Sequence, residues 1–133
     1  PIVTGLMKYQ HSFHVDAADI DELGHVNNVA YLRWVQDVAV AHWQESATPE
    51  MQAKFFWVVV RHEIDYRKPA FGDEEVTVTT WVGQWTAVTC ERFTEIRRGN
   101  DLLVQGRTIW CMCDRESERP KRIAKELIDR FSK

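Results

Sequence analysis

Between Val29 and Ala47 the apolar positions run almost all the way round a helix. Leu32, Trp34, Val35, Val38, Ala39, Ala41 and Trp43 leave only a narrow polar stripe of Arg33, Gln36, Asp37, Gln44 and Glu45. Such a helix has to be enclosed on more than one side, and Thr48-Pro49 predicts its end. Upstream, residues 7–15 (MKYQHSFHV) put Tyr9, Phe13 and Val15 on one parity, as a strand would. Downstream the period changes to two. In WVVVRHEIDYRK, Val58, Val60, Ile64 and Tyr66 alternate with Arg61, Glu63, Asp65 and Arg67. After a turn at Pro69–Asp73, EEVTVTTWVGQW sets Val76, Val78 and Val82 against Thr77, Thr79 and Trp81. VTCERFTEIRR and LLVQGRTIWCMC read as a hairpin closed by Gly99-Asn100-Asp101. The tail KRIAKELIDRF predicts a short helix with Ile123, Leu127, Ile128 and Phe131 on one face. The pattern is one strand, one nearly all-apolar helix, then four strands. About five strands can hide that helix only by curling round it, so the expected fold is α+β, a curved antiparallel sheet wrapped on one long central helix. A sheet of this kind ends in open edge strands, which commonly pair with a second copy.

Composition narrows the choice of partners. The 133 residues suit a single domain, 1–133, with one hydrophobic core, and 44% hydrophobic with 28% charged residues is a globular balance. A net charge of −3 gives no electrostatic footprint for nucleic acid. No apolar run approaches a membrane span, and the N-terminal PIVTGLMKYQ lacks the pattern of a secretory leader. Cys90, Cys111 and Cys113 are too few for a disulfide framework and lack CxxC or HExxH company, so they read as small core or sheet residues. A reducing, cytoplasmic setting and no metal are therefore expected.

The densest polarity is at Asp19–Tyr31, DIDELGHVNNVAY, at the mouth of the apolar helix. Asp, Asn and Gly there suit a turn and a helix cap. They suit an active site equally, because the N-terminal N–H groups of a helix stabilise negative charge and a nearby carboxylate can act as base or nucleophile. His25 has no serine or cysteine positioned beside it and reads as a loop-organising residue. His11, His14, His42 and His62 stand singly, without metal-ligand spacing, and read as structural.

Two stretches carry a resemblance to a known family. Asp19-Ile20-Asp21-Glu22-Leu23-Gly24-His25-Val26-Asn27-Asn28 with Tyr31, followed by Ile64-Asp65-Tyr66-Arg67-Lys68-Pro69-Ala70-Phe71-Gly72-Asp73, resembles the hot-dog-fold acyl-CoA thioesterases of the 4-hydroxybenzoyl-CoA type, over essentially the whole chain. The resemblance implies a thioester hydrolase that releases free acid and thiol and works as a homodimer or homotetramer with its site at a subunit interface. It implies Asp21 as the catalytic carboxylate, the backbone N–H of Asn28 as the donor to the thioester oxygen, and His25 in support. No cofactor is implied beyond the coenzyme A of the substrate.

Substrate handling departs from that family. The stretch matching its basic run is Trp85-Thr86-Ala87-Val88, without a basic residue. The nucleotide is then gripped elsewhere, by Arg61, Arg67, Lys68 or Arg92, or the acyl donor is an acyl carrier protein. Gln36 stands where a ring hydroxyl would be read, so hydroxybenzoyl specificity is not carried over, and Tyr31 is a packing residue that can also line an acyl pocket. Asp37 and Glu45, on the helix's polar stripe, are second candidates for the acid. Two other functions fit the same residues: a hydratase or dehydratase using His25 with Asp21, and a non-catalytic acyl-thioester-binding module.

Overall fold

The computed structural model describes residues 7–132. Residues 1–6, which open the stretch read for a leader, and residue 133 lie outside the described residues. Strands β1 (Tyr9–His14), β2 (Phe55–Tyr66), β3 (Glu75–Trp85), β4 (Thr89–Arg98) and β5 (Asp101–Asp114) form one antiparallel sheet in the order β1-β3-β4-β5-β2. Helix α1 (Asn28–Ser46) lies in its concave face, α2 (Pro49–Lys54) leads into β2, and α3 (Lys125–Phe131) closes the far end. This is the hot-dog arrangement that the apolar helix demands.

Register shifts at Val59/Arg61, Val82/Trp85 and Ile96/Arg97 supply the curvature, because a bulge bends and twists its strand. The first also corrects the sequence reading of β2. Strict alternation would place Val58 and Val60 with Ile64, but the shift at Val60 inverts the parity. Val58 and Val60 are 39% and 57% exposed, while Ile64 packs on the core. Thr48-Pro49 does end α1, yet it also begins a second helix that local pattern did not predict. Thr48 Oγ1 accepts from the Met51 N–H and Pro49 fills the first turn, where a missing N–H costs nothing. The tail is helical only from Lys125. Before it the chain is held extended by Lys121 N–H to Met112 O and Ile123 N–H to Ala87 O.

Two apolar clusters flank α1. One gathers Val15, Val26, Ala30, Tyr31, Trp34, Val35, Val38, Val76, Val78 and Ile96 round the helix's N-terminal half. The other gathers Ala47, Val82, Met112, Leu127 and Phe131, with Trp43, Trp57 and Trp85 against them, round its C-terminal half.

Candidate active site at the entrance of the central helix

The Asp19–Asn28 loop is a small hairpin. Ile20 bridges Val26, the Asp21 N–H donates to His25 O (2.7 Å), and the Gly24 N–H returns to Asp21 O (3.1 Å). Gly24 has a φ of +80°, which a side chain would resist. Asp21 serves the turn with one oxygen only: Oδ1 accepts from the Leu23 N–H (2.9 Å) and the His25 N–H (3.1 Å). Oδ2 has no hydrogen-bond partner among the described residues. The side chain is thus oriented through one oxygen while the other is open, on an exposed residue. His25 is tied to Phe71 by a backbone bridge and an edge contact of 5.2 Å between the rings.

The helix entrance is fixed by two residues whose roles are structural. Asp19, 9% exposed, pairs with Arg33 at 2.6 Å, and its carbonyl accepts from the Asn27 N–H and from Nδ2. Asn27 caps α1, with Oδ1 accepting from the Ala30 N–H at 2.9 Å. The cap takes the third amide of the helix, so the N–H groups of Asn28 and Val29 are without a partner among the described residues. Amides left open at a helix N-terminus are donors for an anion or an oxyanion. Tyr31, 3% exposed, accepts the Ala70 N–H at 2.8 Å, and Val26 N–H donates to Ala70 O. Tyr31 thereby locks the helix, the hairpin and the Pro69–Asp73 turn together. Burial raises its pKa, so its hydroxyl remains protonated. Round this end Leu23, Val29, Tyr66 and Phe71 are 78%, 73%, 47% and 41% exposed, an apolar rim of the kind that marks an interaction surface.

The other sequence candidates lie at different distances from this end. Arg67 and Lys68 follow Tyr66 beside it, on the surface, Arg67 on Gln105 and Lys68 on Asp101. Arg61 is further along β2, paired with Glu63 at 2.7 Å. Gln36 is two turns into α1, roughly 12 Å from Asn28 at the helical rise, where Nε2 meets His62 Nε2 at 3.4 Å and His62 Nδ1 meets Thr108 Oγ1 at 2.9 Å. Burial lowers the His62 pKa. Asp37 opens on a cleft with His11, His14, Asp19 and Arg33, and burial, with the Glu45 carboxylate nearby, raises the pKa of Tyr9, whose hydroxyl meets His11 Nε2 at 2.8 Å. Arg92 is no surface grip for a nucleotide. It sits on the inner face of β4, 7% exposed, bonded to His42 and Thr80.

A single helix held in the concave face of a five-stranded antiparallel sheet is the hot-dog fold of the thioesterases. The chain belongs to the acyl-ACP thioesterase N-terminal domain family, which it matches over residues 6–131, and it is a thioester hydrolase. Solved structures repeat the fold. The probable thioesterase YbaW of Escherichia coli superposes with a TM-score of 0.80 at 21% identity, over 94% of this chain and 99% of that one. A 1,4-dihydroxy-2-naphthoyl-CoA thioesterase of Synechocystis gives 0.80 at 16% identity, over 94% and 96%. A probable thioesterase of Bartonella henselae gives 0.79 at 20%, over 89% and 100%. Among curated proteins none matches the chain. No described helix is long and apolar enough to cross a membrane.

Proposed function

We propose that the protein hydrolyses acyl thioesters of coenzyme A or of an acyl carrier protein at the entrance of α1, with Asp21 as general base or nucleophile. The observation that carries this reading is the split use of the Asp21 carboxylate: Oδ1 is held by two loop amides, and Oδ2 is open one short hairpin away from the unpartnered Asn28 and Val29 amides. In the reaction the thioester oxygen takes these N–H groups. Oδ2 removes a proton from water as its oxygen adds to the carbonyl, or itself adds to give an anhydride that water then opens. The C–S bond breaks, and a thiol with a pKa of about 8.5 leaves without strong acid assistance. Neither route calls on a metal or cofactor. His25 holds the loop from its backbone. The lack of a basic side chain in Trp85–Val88, together with the family's acyl-ACP description, favours the carrier protein as acyl donor. Arg67 and Lys68, on the surface after Tyr66, are cations for its phosphate arm.

The active unit in this reading is a homodimer or homotetramer in the cytoplasm. A second copy would cover the Leu23–Val29–Tyr66–Phe71 rim and the β2 edge, where Val58 and Val60 are exposed. Thiol release from a panel of acyl-CoA and acyl carrier protein substrates, run beside Asp21→Asn, tests the proposal. Turnover by the wild type and loss in the variant is the expected result. Near-normal turnover by Asp21→Asn removes Asp21 from the mechanism, and hydration of an enoyl thioester without thiol release would instead make the protein a hydratase.

A further inference from the structure

Helix α1 carries a single arginine or lysine, Arg33, in its second turn. Long helical side chains lean towards the N-terminus, and Arg33 reaches back across the entrance to Asp19, where Nη2 meets Oδ2 at 2.6 Å. Of the carboxylates round it, Asp16, Asp19 and Asp37, only Asp19 is bonded to it among the described residues. Asp19 ends the short 3-10 turn Ala17–Asp19, which holds it from the other side: Asp16 O accepts the Asp19 N–H at 3.0 Å, and Asp16 Oδ1 accepts the Ala18 N–H at 2.9 Å. Asp19 is 9% exposed, whereas the Arg33 side chain is 49% exposed. A carboxylate that deep is not stable without a partner, so the Arg33 charge keeps Asp19 turned inward.

Asp19 acts on the entrance through its carbonyl. That oxygen accepts the Asn27 N–H (3.0 Å) and Asn27 Nδ2 (3.2 Å). A carbonyl only accepts, so it sorts the two ends of the Asn27 amide: Nδ2 must face Asp19, and Oδ1 is left to face the helix. There Oδ1 takes the Ala30 N–H at 2.9 Å. An N-cap side chain can take either the second or the third amide of its helix. Here it takes the third, and the Asn28 and Val29 amides stay open.

We infer that Arg33 is a positioning residue for thioester hydrolysis: through Asp19 it fixes Asn27 on Ala30, and so sets which amides remain for the thioester oxygen and where they point. The inference rests on the reading of the α1 entrance as the site of hydrolysis. A half-exposed ion pair ordinarily contributes little. This one governs the aim of oxyanion donors, whose small displacements cost rate steeply.

Arg33→Met, read in three ways, tests it. In the substrate-free protein the backbone amide resonances of Asn28 and Val29 and the Asn27 side-chain amide should shift, while those of β3 and β4 stay in place. In turnover kcat should fall about tenfold with KM unchanged, and Arg33→Lys, which returns the charge, should recover most of the loss. Asp19→Asn should cost a similar factor, and the double variant should be no worse than either single one, as for two links of one chain. A merely stabilising ion pair would lower the thermal midpoint and leave kcat and these amides where they are. Unmoved Asn28 and Val29 resonances in folded Arg33→Met overturn the inference, as does wild-type kcat or a double variant in which the two losses multiply. If Arg33→Met does not fold, Arg33→Gln, which keeps a donor and loses the charge, replaces it in every reading. Should the wild type release no thiol from any acyl-CoA or carrier-protein thioester, the hydrolase reading falls by itself, and the resonances alone decide whether Arg33 sets the entrance amides.

Discussion

The two ends of α1 solve opposite problems with the same helix. At the N-terminal end polarity is organised by backbone: Asp21, Asn27 and the open amides of Asn28 and Val29 belong to one short loop, and the geometry is set by hydrogen bonds within about ten residues of chain. At the C-terminal end polarity is buried among side chains brought from α1, β3 and β4, with His42, Thr80 and Arg92 meeting only through the tertiary fold. The first end is exposed and cheap to perturb structurally. The second is enclosed, so a change there registers as stability before anything else. Function that needs access and stability that needs burial are thus separated along one element.

That contrast can be broken by mutation, and the largest effect is expected at the exposed end. Asp21→Asn keeps an oxygen for the Leu23 and His25 amides and removes the charge. Thiol release should fall about 10³-fold with the thermal midpoint unchanged, as followed by a thiol-reactive dye and differential scanning fluorimetry. At the buried end the same kind of small change should act on folding. His42 is held neutral by burial and by Arg92, about 4 against an ordinary 6.5. Below pH 6.5 the unfolded chain takes up a proton there and the folded chain does not. Stability should therefore decline as pH drops from 6.5 towards 4, by about 3 kcal/mol from this group. Urea denaturation across that range should show the slope, and His42→Gln, which keeps an acceptor for Arg92, should flatten it.

Tyr31 joins the two behaviours. Tyr31→Phe strands the buried Ala70 N–H and should cost about 2 kcal/mol in denaturant unfolding, with a modest loss of turnover because the Phe71 turn is no longer pinned. Smallest is Gly24→Ala. An added Cβ meets nothing within 4 Å, so only the positive φ resists it, and about 1 kcal/mol is expected from the same unfolding measurement. A much larger loss would show that the hairpin supports more than its own turn.

What could be read from the sequence divides along the same line. The polar loop was legible because its partners are sequence neighbours: a cap, a turn glycine and a carboxylate announce themselves within DIDELGHVNN. The central helix, all five strands and the 99–101 hairpin followed from periodicity. The inward turn of Arg92 was not legible, since a basic residue in an alternating strand can face either way until the register with β3 and β5 is known. In β2 one extra residue at Val60 reversed the faces that alternation assigns, and α2 escaped because a Thr-Pro pair can mark an end or a beginning.

The sheet order has a consequence for how the chain comes into being. Strand β2 is made early but among the described residues has only β5 as a neighbour, so Phe55 waits for Asp114 and Tyr66 for Val104. During synthesis the chain passes through a stage in which β1, α1, β3 and β4 have emerged while β2 has no strand to bond with. Its apolar run Phe55–Val60 is then available to any other nascent chain nearby. Growth past β5 closes that interval, which makes the last strand, rather than the helix, the step that commits the molecule to its final form.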